Sequence, residues 1–180
     1  MPTYTPEWSD LQLNYTLERD YSLGVSTYYR EGSDHSATFV VSQFNYLLKR
    51  WNELDSQANL YLSLGLGGRI GAEDDASPAG YAAFEADYET RRIYTLFGAE
   101  TLQSEEDVDF NRLRYRFGVA PYKAPIEHLQ TWIIGQVDYM PEMDDELTVT
   151  PLLRFFYNNY ALEIGSSVEG DVFVAAMIHY

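Results

Sequence analysis

The sequence contains no cysteine. That excludes a disulfide framework, thiol chemistry and any cysteine-ligated metal, and it is compatible with an oxidising compartment. No uninterrupted apolar run of about 18 residues occurs, so no helical membrane span is expected. Positive charge is scarce. The chain has 12 Lys and Arg against 28 Asp and Glu, for a formal net charge of −16. No basic stripe results, and nucleic-acid binding is excluded as a function class. Apolar spacing with a helical period is also missing. The opening MPTYTPEWSD has no apolar segment of signal-peptide type. Met1 is therefore expected to stand at the head of a mature or trimmed sequence.

Catalytic signatures are absent too. The sequence has no HExxH, phosphate-loop or GxGxxG motif. His35, His128 and His179 belong to no recognisable nucleophile arrangement. The chain is not expected to be an enzyme, and a lipid-modifying barrel enzyme is a remote alternative. No cofactor is expected.

What is present is tyrosine, 16 of them, within an aromatic content of 16%. Amphipathic rings collect where an apolar medium meets water. The mean hydropathy of −0.33 reads as soluble. Averaging misleads, however, when only every second residue faces lipid.

Period-2 alternation runs through nearly the whole chain. It marks eleven segments: 10–18, 21–30, 37–48, 58–69, 81–90, 92–102, 110–119, 129–139, 147–157, 160–168 and 172–180. In 58–69, for example, Ala58, Leu60, Leu62, Leu64 and Leu66 oppose Asn59, Tyr61, Ser63, Gly65, Gly67 and Arg69. In 110–119, Leu113, Tyr115, Phe117 and Val119 oppose Arg112, Arg114, Arg116 and Gly118. About ten residues is the length of a tilted membrane strand. Single-chain bacterial barrels carry an even number of strands. Residues 1–6 are therefore expected to form the stub of a twelfth strand, with ten strands as the alternative. Pro151, in the middle of a segment, removes one ladder donor and predicts a bulge or a weak pairing.

The charges point to an inside-out barrel. The connections 5–9, 31–35, 71–79, 104–109, 141–146 and 169–171 hold 16 acids and no Lys or Arg. The alternate connections 18–20, 49–56, 90–92, 122–128 and 158–159 hold five acids and six bases. Alternate turns share an end only when strands run up and down, so one rim is acidic and the other near neutral. The remaining arginines, Arg30, Arg69, Arg112, Arg114, Arg116 and Arg154, all fall on the polar face of their segments. So do Glu85, Asp87, Glu89, Glu100, Asp138 and Glu163, while Asp10 lies at a segment end. The apolar face then carries no full charge. The competing reading is a soluble β-sandwich. It would have to bury about a dozen charges, at several kcal/mol of desolvation per ion. The fold expected is an all-β, transmembrane, up-and-down antiparallel β-barrel with an apolar exterior and a charged lumen, in a single domain over 1–180.

The C-terminal VFVAAMIHY resembles the last strand of bacterial outer-membrane β-barrels, which ends in an aromatic residue preceded by alternating apolar residues. Those positions here are Tyr180, Ile178, Ala176, Val174 and Val172. The resemblance is to the class as a whole. It implies a Gram-negative outer-membrane location and recognition of this segment by the assembly machinery. It also implies a periplasmic C-terminus, which puts the acidic rim outside the cell. Acidic outer loops such as Glu73–Asp74–Asp75 and Asp144–Asp145–Glu146 could hold divalent cations that bridge lipopolysaccharide, but they lack the EF-hand pattern. A merely solvated, repulsive rim is the simpler expectation.

The sharpest constellation is Arg112–Arg114–Arg116 facing Glu85–Asp87–Glu89 two strands away, with Gly98 on the strand between. If Glu85, Gly98 and Arg114 lie level, Arg114 could meet Glu85 across a gap of about 10 Å. Arg112 would sit near Glu100 across its own hairpin. An arginine ladder facing an acidic ladder suits a small porin-like channel selective for ions or polar solutes. The same residues could instead form a salt-bridged plug in a structural barrel that joins a larger envelope assembly.

Overall fold

The computed structural model describes residues 3–4, 8–30, 37–70, 77–104, 110–125, 127–141 and 147–178, with side-chain surroundings for all of these except Thr3, Tyr4, Trp8 and Arg30. The described residues form strands and turns, without helix. The strands are β1 (Thr3–Tyr4), β2 (Trp8–Glu18), β3 (Tyr21–Arg30), β4 (Ala37–Asn52), β5 (Ser56–Ile70), β6 (Pro78–Thr90), β7 (Ile93–Ser104), β8 (Phe110–Val119), β9 (Gln130–Tyr139), β10 (Leu147–Tyr157), β11 (Tyr160–Ser166) and β12 (Val172–Ile178).

All eleven alternating segments are strands, each antiparallel to the next from β2 to β12. The sheet curls until β2 and β12 are joined through β1, which pairs with both. This is an all-β, up-and-down, barrel-like architecture. The connections rich in acid therefore all meet one end of it. Their charged residues lie outside the described part, apart from Glu169 and Asp171.

Alternation decides which face each residue takes. Outward positions are apolar and exposed: Leu13 is 68% exposed, Leu66 78% and Phe117 48%. Inward neighbours are buried, such as Phe39 at 1% and Ile134 at 1%. The interior is more apolar than the sequence reading allows. Toward the acidic rim, Tyr28, Ala37, Phe39, Val41, Ala79, Tyr81, Leu102 and Phe110 pack together. Nearer the other rim, Tyr94, Leu96, Ala120, Trp132, Ile134, Leu152, Phe173 and Ala175 form a second cluster. The interior charge is thus concentrated in a belt between these clusters, with Arg50, Arg69, Asp87 and Glu89 at inward positions elsewhere. Aromatic and aliphatic residues that alternation placed inside make up the two clusters.

Two bulges shift the alternation near the less acidic rim. One lies between Thr16 and Glu18, the other between Leu47 and Lys49. Each inserts a residue, so the side chains beyond it change face. Glu18 and Lys49 then take register positions opposite Tyr21 and Leu60, on the outward face. Arg50, expected in the turn 49–56, lies within β4 opposite Asn59 and points inward. Elsewhere on the described strands no outward residue carries a full charge.

Pro151 interrupts one ladder. It pairs with Gly135 of β9, but the β10–β11 pairing begins only at Leu152. Gly67 permits a close approach. A Cβ there would lie 2.0 Å from the Val40 carbonyl oxygen, so β4 and β5 could not keep their spacing with a larger residue. The two-residue turn Asn158–Asn159 places Asn158 at φ 53°, in the left-handed region that Asn tolerates.

Candidate functional site

The belt of charge crosses the lumen between the two apolar clusters. β8 supplies Arg112, Arg114 and Arg116 at successive inward positions, because every second residue of a strand returns to the same face. Each arginine finds a different acid. Arg112 pairs with Glu100, its directly opposed residue on β7. Arg114 donates from Nε to Asp138 Oδ1 at 2.8 Å, again directly across, on β9. Arg116 Nη1 reaches Glu163 at 3.2 Å, three strands away. Arg154 of β10 donates from Nε to the same carboxylate at 2.6 Å. Glu163 is completely buried and so holds two guanidinium groups at once.

The belt is closed by hydrogen bonds and rings. Gln136 donates to Asp138. Arg154 lies 4.5 Å from the Tyr94 ring centroid, close enough for a cation–π contact. Tyr81 donates its hydroxyl to Glu100 at 2.9 Å. Its ring stacks on Tyr28 with centroids 5.5 Å apart. Tyr28 also meets Phe110 at 6.4 Å. These rings come from β3, β6 and β8, so they reach from one wall of the barrel to the other. Gln43 donates to the Tyr28 hydroxyl at 2.6 Å and accepts from Ser26 and Gln12, both at 2.9 Å.

The acidic ladder of β6 behaves differently from the expectation. Glu85, Gly98 and Arg114 do lie level. The Arg114–Glu85 pair nevertheless does not form, because Arg114 turns to Asp138 on the adjacent strand. An acid one strand away needs far less extension than one two strands away. Gly98 is not a required gap either. A Cβ there would meet Arg114 Cβ and Leu96 Cδ2 at an ordinary 3.8 Å. Asp87 accepts from Asn59 Nδ2 at 2.9 Å, and Asn59 in turn accepts from Arg50 Nε at 2.6 Å. Arg50 also donates to the Tyr61 hydroxyl at 3.2 Å. Glu85 and Glu89 are exposed and make no ion pair among the described residues.

Of the other residues singled out from sequence, Arg69 sits inward, opposite Phe39. Arg30 holds the register position opposite Ala37, itself inward, but its side chain is outside the described part. Val174, Ala176 and Ile178 alternate outward on β12 as expected, whereas Tyr180 is outside the described part. So are His35, His179, Glu73–Asp75 and Asp144–Glu146. Sequence reasoning missed Arg50, Gln43, Tyr28 and Tyr81. The adjacent apolar pair Leu47–Leu48 was the signal for the bulge that turns Arg50 inward. The described residues hold no group of three or more ligand side chains placed to bind a metal.

This geometry sets a double-mutant cycle. Arg114 and Asp138 are expected to couple by about 1–3 kcal/mol, and Arg114 and Glu85 by less than about 0.5 kcal/mol. Urea unfolding of the single and double alanine variants in detergent measures both. A larger coupling to Glu85 would reinstate the ladder-to-ladder pairing.

The chain matches no protein-family model, no curated protein and no solved structure.

Proposed function

We propose that this protein is a twelve-stranded transmembrane barrel of a Gram-negative outer membrane. In this reading its lumen is occluded, and it serves as a structural or docking unit of an envelope assembly. One observation carries the occlusion. Tyr28, Tyr81 and Phe110 meet across the lumen, with Phe39, Val41 and Leu102 buried around them. Below that layer the arginines are consumed by acids rather than presented to passing ions.

The membrane assignment is supported by the exposed apolar exterior and by its aromatic residues. Tyr21, Tyr46, Trp51, Tyr88, Tyr157 and Tyr160 lie outward near the less acidic rim, where an interfacial girdle belongs. In this reading that rim lies in the periplasm, which the resemblance of the C-terminal strand to outer-membrane barrels supports. The acidic rim then faces out, toward lipopolysaccharide and any cations it carries. Partners follow from this reading: the bilayer, the assembly machinery that reads Val174, Ala176, Ile178 and Tyr180, and an envelope protein.

A channel is the second reading, favoured by the exposure of Glu85 and Glu89 inside the barrel. Planar-bilayer recording separates the two. The wild-type chain is expected to insert and give no steady conductance. The pair Tyr28→Ala and Phe110→Ala removes rings from opposite walls and is expected to produce discrete conductance steps. Steady wild-type conductance unaffected by that pair would defeat the occluded reading. Migration on gels that does not change with heating in detergent would defeat the barrel itself.

A further inference from the structure

The outward face of the barrel is not uniform. On β6 and β7 its side chains become small in the half nearer the acidic rim. Phe84 and Ala99 lie level, and Ala82 and Thr101 are the next outward pair toward that rim. Gly80 and Gln103 follow. Larger residues stand on the flanking strands, Leu62 of β5 opposite Phe84 and Leu113 of β8 opposite Tyr139 of β9. Between these walls lies an open groove with a volume of about 500 Å³. That is the size of a small-ligand cleft. The groove changes from apolar to polar along its length. Leu62, Phe84, Ala99 and Leu113 line the deeper end. Thr101 and Asn111, a directly opposed pair, line the end toward the acidic rim. Gln103 Nε2 donates to Thr101 Oγ1 at 3.1 Å and extends the polar end. Glu100 and Arg112 lie beneath the floor, where they pair with each other and leave it without net charge.

We propose that this groove holds one acyl chain of a membrane lipid, with the ester or amide linkage of the chain level with Thr101, Gln103 and Asn111. The inference rests on the membrane reading above and holds whether the lumen conducts or not. The shape selects the occupant. A second copy of the barrel is convex on its outward face and cannot enter a recess two strands across, about 10 Å. A hydrocarbon chain can enter, and it supplies the dispersion contacts that Ala82, Ala99 and Phe84 lack across an empty recess. The order of polarity gives the direction. An amphiphile lying along the wall places its head toward the acidic rim and its tail against Phe84. The amide and hydroxyl groups at that end donate to a carbonyl oxygen, which costs free energy when it leaves water without a donor. Charge limits the head group. The connection 71–79 leads into β6 and 104–109 leaves β7, and together they carry seven acids and no Lys or Arg. A net-neutral head avoids repulsion from them.

The test folds the whole chain into phosphatidylcholine vesicles, exchanges it into detergent and counts retained lipid by native mass spectrometry. The wild-type chain is expected to keep one phosphatidylcholine after washing that strips the freely exchanging lipid. The pair Ala82→Phe and Ala99→Phe fills the groove and is expected to cut the lipid-bound fraction at least tenfold. Ala99→Leu, a smaller filling that disturbs the wall less, is expected to cut it at least threefold. Ala58→Phe is the control, an outward position near the other rim opposite Tyr88, and should change nothing. The ether-linked analogue of the lipid, which has no linkage carbonyl, is expected to be retained at least threefold less than the ester. Wild-type chain without bound lipid, equal retention by the filled variants, or equal retention of the ether lipid would each overturn the proposal. So would a wild-type dimer that the filled variants split into monomers, since the groove would then belong to a second copy. Heat-modifiable migration separates this test from the membrane reading. A chain that lacks it refutes the barrel, whereas a heat-modifiable chain that keeps no lipid refutes the groove alone.

Discussion

Replacing Glu163 with Ala is expected to destabilise the folded barrel by about 3–5 kcal/mol, the cost of leaving buried charge without its counter-ion. The carboxylate is fully buried, and it serves Arg116, at 6% side-chain exposure, and Arg154, at 19%. Removing it strands two guanidinium groups in a place that water does not replace. The same physics makes a second, less intuitive outcome. Exchanging all three residues for Met, Leu and Met is expected to cost less than Glu163→Ala alone, because no charge is then left behind. Trp132, Leu152 and Phe173 already make this part of the lumen apolar. Glu85→Ala is the control, with a change under about 0.5 kcal/mol expected for an exposed group without an ion-pair partner. Urea titration followed by heat-modifiable gel migration ranks the three. A Glu163→Ala variant as stable as Glu85→Ala would show that the belt does not hold the walls together.

Replacing Leu64 with Arg is expected to cost about 2–4 kcal/mol in a bilayer, the depth-dependent cost of a cation on the lipid face of a barrel. Leu64 lies near the middle of β5, outward and 51% exposed. In a water-soluble barrel the same substitution would replace an exposed apolar residue by a charged one and cost almost nothing. Folding yield into lipid vesicles, compared between Leu64→Arg and Ser63→Arg on the inward face, therefore tests the membrane assignment directly. An unimpaired Leu64→Arg chain that stays monomeric without detergent would sink it.

The site was legible in part, and the reason lies in the range over which sequence patterns act. Alternation is local, and it assigned Arg112, Arg114, Arg116, Glu100, Asp138 and Glu163 to one face because a strand returns to that face every second residue. It also paired Arg112 with Glu100, since a hairpin fixes its own register. It failed at Arg114, where two acids competed and only the neighbouring strand β9 could show that Asp138 was nearer than Glu85. It failed at Arg50, where a bulge of one residue reversed the pattern. It missed the stack of Tyr28, Tyr81 and Phe110, whose members are far apart in sequence and lie on strands that face each other only once the sheet has curled.

By itself, then, the sequence determined the strand class, the up-and-down order, the outward apolar surface and the separation of acidic from near-neutral rims. All four follow from period-2 alternation and from the composition of successive turns, and neither needs distant partners. Only the tertiary structure decided which acid each arginine holds, that aromatic rings fill the lumen between opposite walls, and that β1 joins β2 to β12. Those depend on curvature and register across the whole ring, which bring together side chains and edges that no local pattern connects.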